Sequence, residues 1–96
     1  MGDNMVYDKE IEEMFKDIAK SLKLAYQKTK FIREIVYSLS DNDKFRVDFR
    51  TFVNKEGKIV FLTKTGEWGS FKKEELMDIG RKTIIANIID IQKKSK

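Results

Sequence analysis

Arg46, Asp48, Arg50 and Phe52 recur at every second position, and Lys58, Lys64 and Trp68 follow within the next sixteen residues. In an extended chain alternate side chains share a face, so this spacing puts two guanidinium groups and a ring side by side. Cations interleaved with flat apolar groups are what a single nucleic-acid strand needs. Phosphates attract the charge, and unstacked bases want a desolvated platform. Arg46, Arg50, Phe52, Lys58, Lys64 and Trp68 are therefore the candidate binding residues, with Trp68 between Gly66 and Gly69 as the best stacking surface. A plainer arrangement competes: Arg46, Asp48 and Arg50 as a self-neutralising solvated face, and Trp68 as a plug in the core.

Other chemistry is poorly supplied. The chain has no His and no Cys, which removes disulfides, thiol nucleophiles, imidazole acid–base catalysis and the usual zinc sites. Lys64-Thr65-Gly66 lacks the frame of a phosphate-binding loop. Asp41-Asn42-Asp43 starts like a calcium loop, but the glycine and the closing carboxylate are missing. No enzyme, metal, cofactor or small-molecule substrate is expected. The net charge of +4 is unevenly placed: residues 1–13 carry −4, so the rest of the chain carries +8. A basic body favours a polyanion or an acidic surface as partner.

The elements that must hold these residues follow from periodicity. With 96 residues there is one domain, 1–96, because halves would be too small to bury a core. From Asp8 to about Leu39 the residues Ile11, Phe15, Ile18, Leu22, Ala25, Ile32, Val36 and Leu39 follow a 4-3 spacing, with Thr29 in the gap. That predicts one long amphipathic helix. Lys44 to Val53 alternates, Asn54-Lys55-Glu56-Gly57 makes a hairpin loop with Gly57 left-handed, and Lys58 to Lys64 returns. Thr65-Gly66 turns again, leaving Glu67-Trp68-Gly69 as a brief third strand. Ser70 then caps a helix from Phe71 to about Lys93. The predicted fold class is α+β, in the order α-β-β-(β)-α.

A helix of that length would span about 48 Å, far beyond a compact domain of this size. Leu24, Phe31 and Ile35 add a second apolar flank to its far half, and Ile85 and Ile89 widen the apolar arc of the last helix. These five are the candidate interface of a homodimer or tetramer. The competing arrangement breaks the helix near Ala25-Tyr26-Gln27 and folds it back within a monomer. The opening Met1 to Val6 is acidic, with no apolar signal region and no acylation motif, and no run approaches the roughly 20 apolar residues of a membrane span. A cytoplasmic location is expected, with residues 1–7 disordered.

Arg46-Val47-Asp48-Phe49-Arg50-Thr51-Phe52, then Gly57, Lys64-Thr65-Gly66, Ser70, Glu74 and Leu76, resembles the strand–turn–strand–helix pattern of the positive-cofactor-four transcriptional coactivators and their bacterial relatives. It also looks like the ThermoDBP group of archaeal single-stranded DNA-binding proteins. The likeness covers roughly residues 45–80. It implies single-stranded DNA binding, with Arg46, Arg50, Phe52, Lys64 and Trp68 in the binding positions, and a dimer in the coactivator case. Two departures stand out: the coactivators have strands before this segment, where a long helix is expected here, and the turn from Lys64 to Ser70 is longer than theirs. The expectation is a single-stranded nucleic-acid-binding protein, DNA before RNA, with little sequence preference. The alternative is a protein–protein module that docks through its helix faces.

Overall fold

Ile11, Met14, Phe15, Ile18 and Ala19 lie on one side of a helix and are all buried, which is what three- and four-residue spacing achieves at 3.6 residues per turn. This helix, α1, runs Asp8–Leu22 and then stops. In the computed structural model, which describes residues 8–41, 45–64 and 66–94 and the backbone alone of Asp8, Glu67 and Trp68, Lys23 takes a left-handed conformation at φ 59°. The Leu24 N–H reaches back to the Ala19 carbonyl at 2.7 Å, and the Lys23 N–H to that of Lys20 at 3.3 Å. That pair of bonds is a Schellman cap, and it ends the helix where the 4-3 spacing predicted continuation to Leu39.

The chain beyond Lys23 is sheet. Strands β1 (Ala25–Lys30), β2 (Ile35–Ser40), β3 (Arg46–Val53), β4 (Ile59–Thr63) and β5 (Gly66–Phe71) form one antiparallel meander in sequence order. The expected β3–β4 hairpin and brief third strand are present, and β5 is longer than expected. They are the second half of a sheet whose first half, β1 and β2, was read as helix. Asn54 stitches the β3–β4 loop: its side-chain oxygen accepts from the N–H groups of Glu56 and Lys58, and Gly57 is left-handed as expected. The disorder predicted for residues 1–7 and the strand start predicted at Lys44 lie outside the described residues, as does Thr65 of the second turn.

Register decides which face each residue takes. Tyr37 stands opposite Phe49, Leu39 opposite Val47, and Thr51 opposite Phe61, so these side chains share one face. Onto it α1 lays Phe15, whose ring centroid lies 4.8 Å from Tyr37, 5.2 Å from Phe49 and 5.8 Å from Phe61. Gly69 is opposite Phe61, and the Phe71 ring occupies the room a side chain there would need: a Cβ on Gly69 would come within 2.6 Å of it.

The closing helical segment begins later than Ser70, which is a residue of β5. Lys72 precedes a short helix α2 (Lys73–Glu75), a π-helical turn Leu76–Gly80, and helix α3 (Arg81–Lys94). The Glu75 carboxylate accepts the Lys72 N–H at 3.0 Å and so does the capping that Ser70 was expected to do. Leu76, Ile84 and Ile88 join the same buried cluster as α1, and Arg81 pairs with Asp17 across the two helices. Both long helices therefore cover one face of the sheet.

The expected oligomer seam loses its helix. Leu24 follows the cap and packs on the core, Phe31 is exposed in the β1–β2 turn, and Ile35 is fully buried within β2. Ile85 packs against the core, whereas Ile89 stays partly exposed. With the chain folded back, the radius of gyration is 12.7 Å, as a compact chain of this length requires. Among the described residues no helix is long and apolar enough to cross a membrane.

Candidate nucleic-acid interface

Alternation along β3 places Arg46, Asp48, Arg50 and Phe52 on the face away from the helices. They span about 20 Å at roughly 3.3 Å per residue. Pairing adds Ser40 beside Arg46, Ser38 beside Asp48, Val36 and Leu62 flanking Arg50, and Val60 beside Phe52. Phe52 and Leu62 are half-buried, which leaves part of each apolar surface open to a ligand; Val60 and Ser38 are buried even here. Among the described residues this face carries no helix.

Of the predicted binding residues, five are described, and all five lie on or at the margin of this face. Lys64 is exposed in the turn after β4, near Arg46 and Asp48 at one end. Lys58 is half-buried at the opposite end, next to the β3–β4 loop. Arg50 stands between. Trp68 is the extra residue of a β-bulge in β5, opposite Phe61 and Leu62; its ring, predicted as the main stacking platform, lies outside the described part of the structure.

Electrostatically the face is less bare than its arginines suggest. The Arg46 Nε donates to the Asp48 carboxylate at 3.2 Å, and the Ser38 hydroxyl donates to the same oxygen at 2.6 Å. Arg50 grips Glu34 through both Nε and an amino group, at 2.8 Å for the shortest contact. The Glu34 hydrogen bonds and charge hold the Arg50 guanidinium pKa above its ordinary value. Both arginine pairs are well exposed on the cationic side, at 60% and 55% of the side chain. Lys64 makes no ion pair among the described residues.

Glu34 escapes the sequence reading, because a residue in the middle of a presumed helix has no claim on β3. The signal was there in Ile35-Val36-Tyr37-Ser38-Leu39-Ser40, whose alternation puts Val36 and Ser40 beside the arginines and Ser38 beside Asp48. Ile91, half-buried against the core from α3, also lines the end of the sheet beside Arg46 and Lys64, which the sequence reading did not foresee. Among the described residues no three carboxylates converge to hold a cation. No protein-family model, curated protein or solved structure matches the chain.

Proposed function

We propose that the uncovered face of the sheet binds single-stranded nucleic acid with little sequence preference. The observation that carries this reading is the placement of both long helices on one face, which leaves Arg46, Arg50, Lys58 and Lys64 around Phe52 and Leu62 on the other. Capture is electrostatic, and the half-buried Phe52 and Leu62 receive the faces of bases. The two arginine–carboxylate pairs temper the attraction without abolishing it. Exposed pairs of this kind are weak and screened by water, so a phosphate diester competes with a carboxylate for the same guanidinium. The likeness of residues 45–80 to the single-stranded DNA-binding coactivators is in keeping with the reading.

The test is anisotropy of a labelled oligo-dT at about 50 mM salt. Binding is expected, with Arg50→Ala weakening it several-fold and Glu34→Gln, which releases Arg50, strengthening it. Absence of binding, equal affinity for duplex, or an oligonucleotide affinity indifferent to both variants defeats the proposal.

A second reading rests on the β1–β2 turn, where Phe31 is 55% and Ile32 94% exposed. Adjacent apolar side chains at a turn suit docking to another protein. Substituting both by Ser leaves oligonucleotide affinity unchanged if the first reading holds, whereas Arg46→Ala with Arg50→Ala leaves a protein complex intact if the second does.

A further inference from the structure

At the end of the sheet where β3 begins and β4 stops, Arg46, Val47, Asp48, Thr63, Lys64 and Ile91 line a half-open pocket of about 270 Å³. Its composition is two-sided. Val47 and Ile91 supply aliphatic wall, one from the sheet and one from the last turns of α3, while Arg46 and Lys64 bring two cations to the same cavity. Asp48 does not cancel both. Its contacted oxygen is already shared between Ser38 and the Arg46 Nε, so the remaining guanidinium donors and the Lys64 ammonium are left for a ligand. The volume lies just under the roughly 300–1,000 Å³ typical of drug-sized sites, which suits one flat group and not an extended molecule.

Resting on the strand-binding reading above, we infer that this cavity is the subsite for a single nucleotide unit: the base enters between Val47 and Ile91, and its phosphate is held by Arg46 and Lys64. The placement explains why a helix residue lies beside the predicted cations. A strand lying along the open face of β3 past Arg50 reaches Arg46 at the end of the sheet, and a base turned over that end meets Val47 and, from α3, Ile91 on the helix side. Aromatic or apolar side chains on either side of a base are one way in which proteins hold a base turned out of its stack. The shared chemistry, a phosphate ester on a flat ring, also describes a free nucleotide, and the experiment separates the two sources.

Three variants are compared by oligo-dT anisotropy, with thymidine monophosphate titrated into labelled protein and followed by amide NMR. Ile91→Trp fills the cavity at a half-buried position; Lys64→Glu reverses an exposed charge and leaves the core untouched; Arg50→Ala probes the face away from the cavity. Oligo-dT affinity is expected to fall at least about fivefold in both Ile91→Trp and Lys64→Glu, as losing one stacked base does. Thymidine monophosphate is expected to shift Val47, Thr63, Lys64 and Ile91 amides, and to lose this effect in Lys64→Glu. If Arg50→Ala weakens oligo-dT while the two cavity variants do not, the face binds and the subsite is wrong. If the mononucleotide shifts the cavity but oligo-dT does not bind, the assignment to a strand is overturned in favour of a free nucleotide. If neither ligand binds, the strand-binding reading fails and this inference with it.

Discussion

At the scale of single residues, the left-handed Lys23 is the most consequential conformation in the chain. It has a Cβ where glycine would have none, and for such a residue the left-handed region costs about 1–2 kcal/mol. The structure tolerates it because the cap satisfies two carbonyls and lets Leu24 fold back onto the core above Ala19. Lys23→Gly removes the strain but adds backbone freedom to the unfolded chain. The net expectation is a gain of roughly 0.5–1 kcal/mol, or about 2–8 °C in melting temperature for a domain of this size. A thermal melt checks it, and no gain or a loss means that the lysine side chain contributes something the cap does not explain. Gly69 runs the other way: Gly69→Ala forces the Phe71 ring off its position against Phe61, where the centroids are 6.1 Å apart, and lowers stability by about 1–3 kcal/mol in urea unfolding.

Between elements, the seam joining α1 to the edge strand β1 is polar and centred on Glu12. Its carboxylate accepts from Lys28 at 3.1 Å and from the Tyr26 hydroxyl at 3.2 Å, with Lys16 a turn away and lying 5.9 Å from the Tyr26 ring centroid. The Lys28 hydrogen bond, more than any other contact, holds the Glu12 pKa below its ordinary range despite partial desolvation. A carboxylate whose folded pKa is depressed stabilises above the unfolded value, about 4.3, and loses that contribution as pH falls through the lower folded value. Glu12→Gln is therefore expected to cost about 1 kcal/mol at neutral pH, and the gap to the parent protein closes toward pH 3. Urea unfolding at both pH values measures it; a gap that stays constant contradicts the ionic origin.

The same seam shows why half of the sheet was hidden in the sequence. β3 and β4 declare themselves through strict alternation around Asn54 and Gly57, and α1 through Ile11, Phe15 and Ile18. β1 does neither. It is an edge strand whose covered positions, Tyr26 and Lys28, are polar or amphipathic and are anchored by Glu12, so it lacks the apolar alternation of a half-buried strand. Its entry has no glycine, because Lys23 takes the left-handed position, and its turn, Phe31 to Glu34, has no proline, glycine or asparagine. Val36 and Ile32 happened to fall on the continued helical spacing, although one lies on the open face and the other in solvent. The side-by-side placement of Arg46, Arg50 and Phe52 does not depend on β1 or β2, because it follows from the alternation of β3 and its pairing with β4. What could not be read was its charge balance, because Glu34 reaches Arg50 only through the unrecognised β2.

At the scale of the whole molecule, the proposed function follows from one asymmetry: among the described residues, a single sheet carries both long helices on one side and none on the other. The net charge of +4 gives general attraction to a polyanion, but the salt dependence of binding counts the local contacts. For a single strand, log K falls against log salt with a slope of about −0.7 for each phosphate neutralised. Arg46, Arg50, Lys58 and Lys64 set an upper bound of four contacts, and the Asp48 and Glu34 pairs reduce the effective number toward two. The expected slope for oligo-dT therefore lies between about −1.4 and −2.8. Removing a competing carboxylate must move it in a defined direction: Glu34→Gln should steepen the slope by up to about 0.7 while raising affinity, because Arg50 then meets a phosphate in place of a carboxylate. The neutral variant Ile32→Ser should change neither. A slope near zero with retained affinity would mean that apolar contact dominates and that the arginines remain with their carboxylates. In that case electrostatic capture by the open face is wrong, and binding rests on apolar surface, either Phe52 and Leu62 or the exposed Phe31–Ile32 turn.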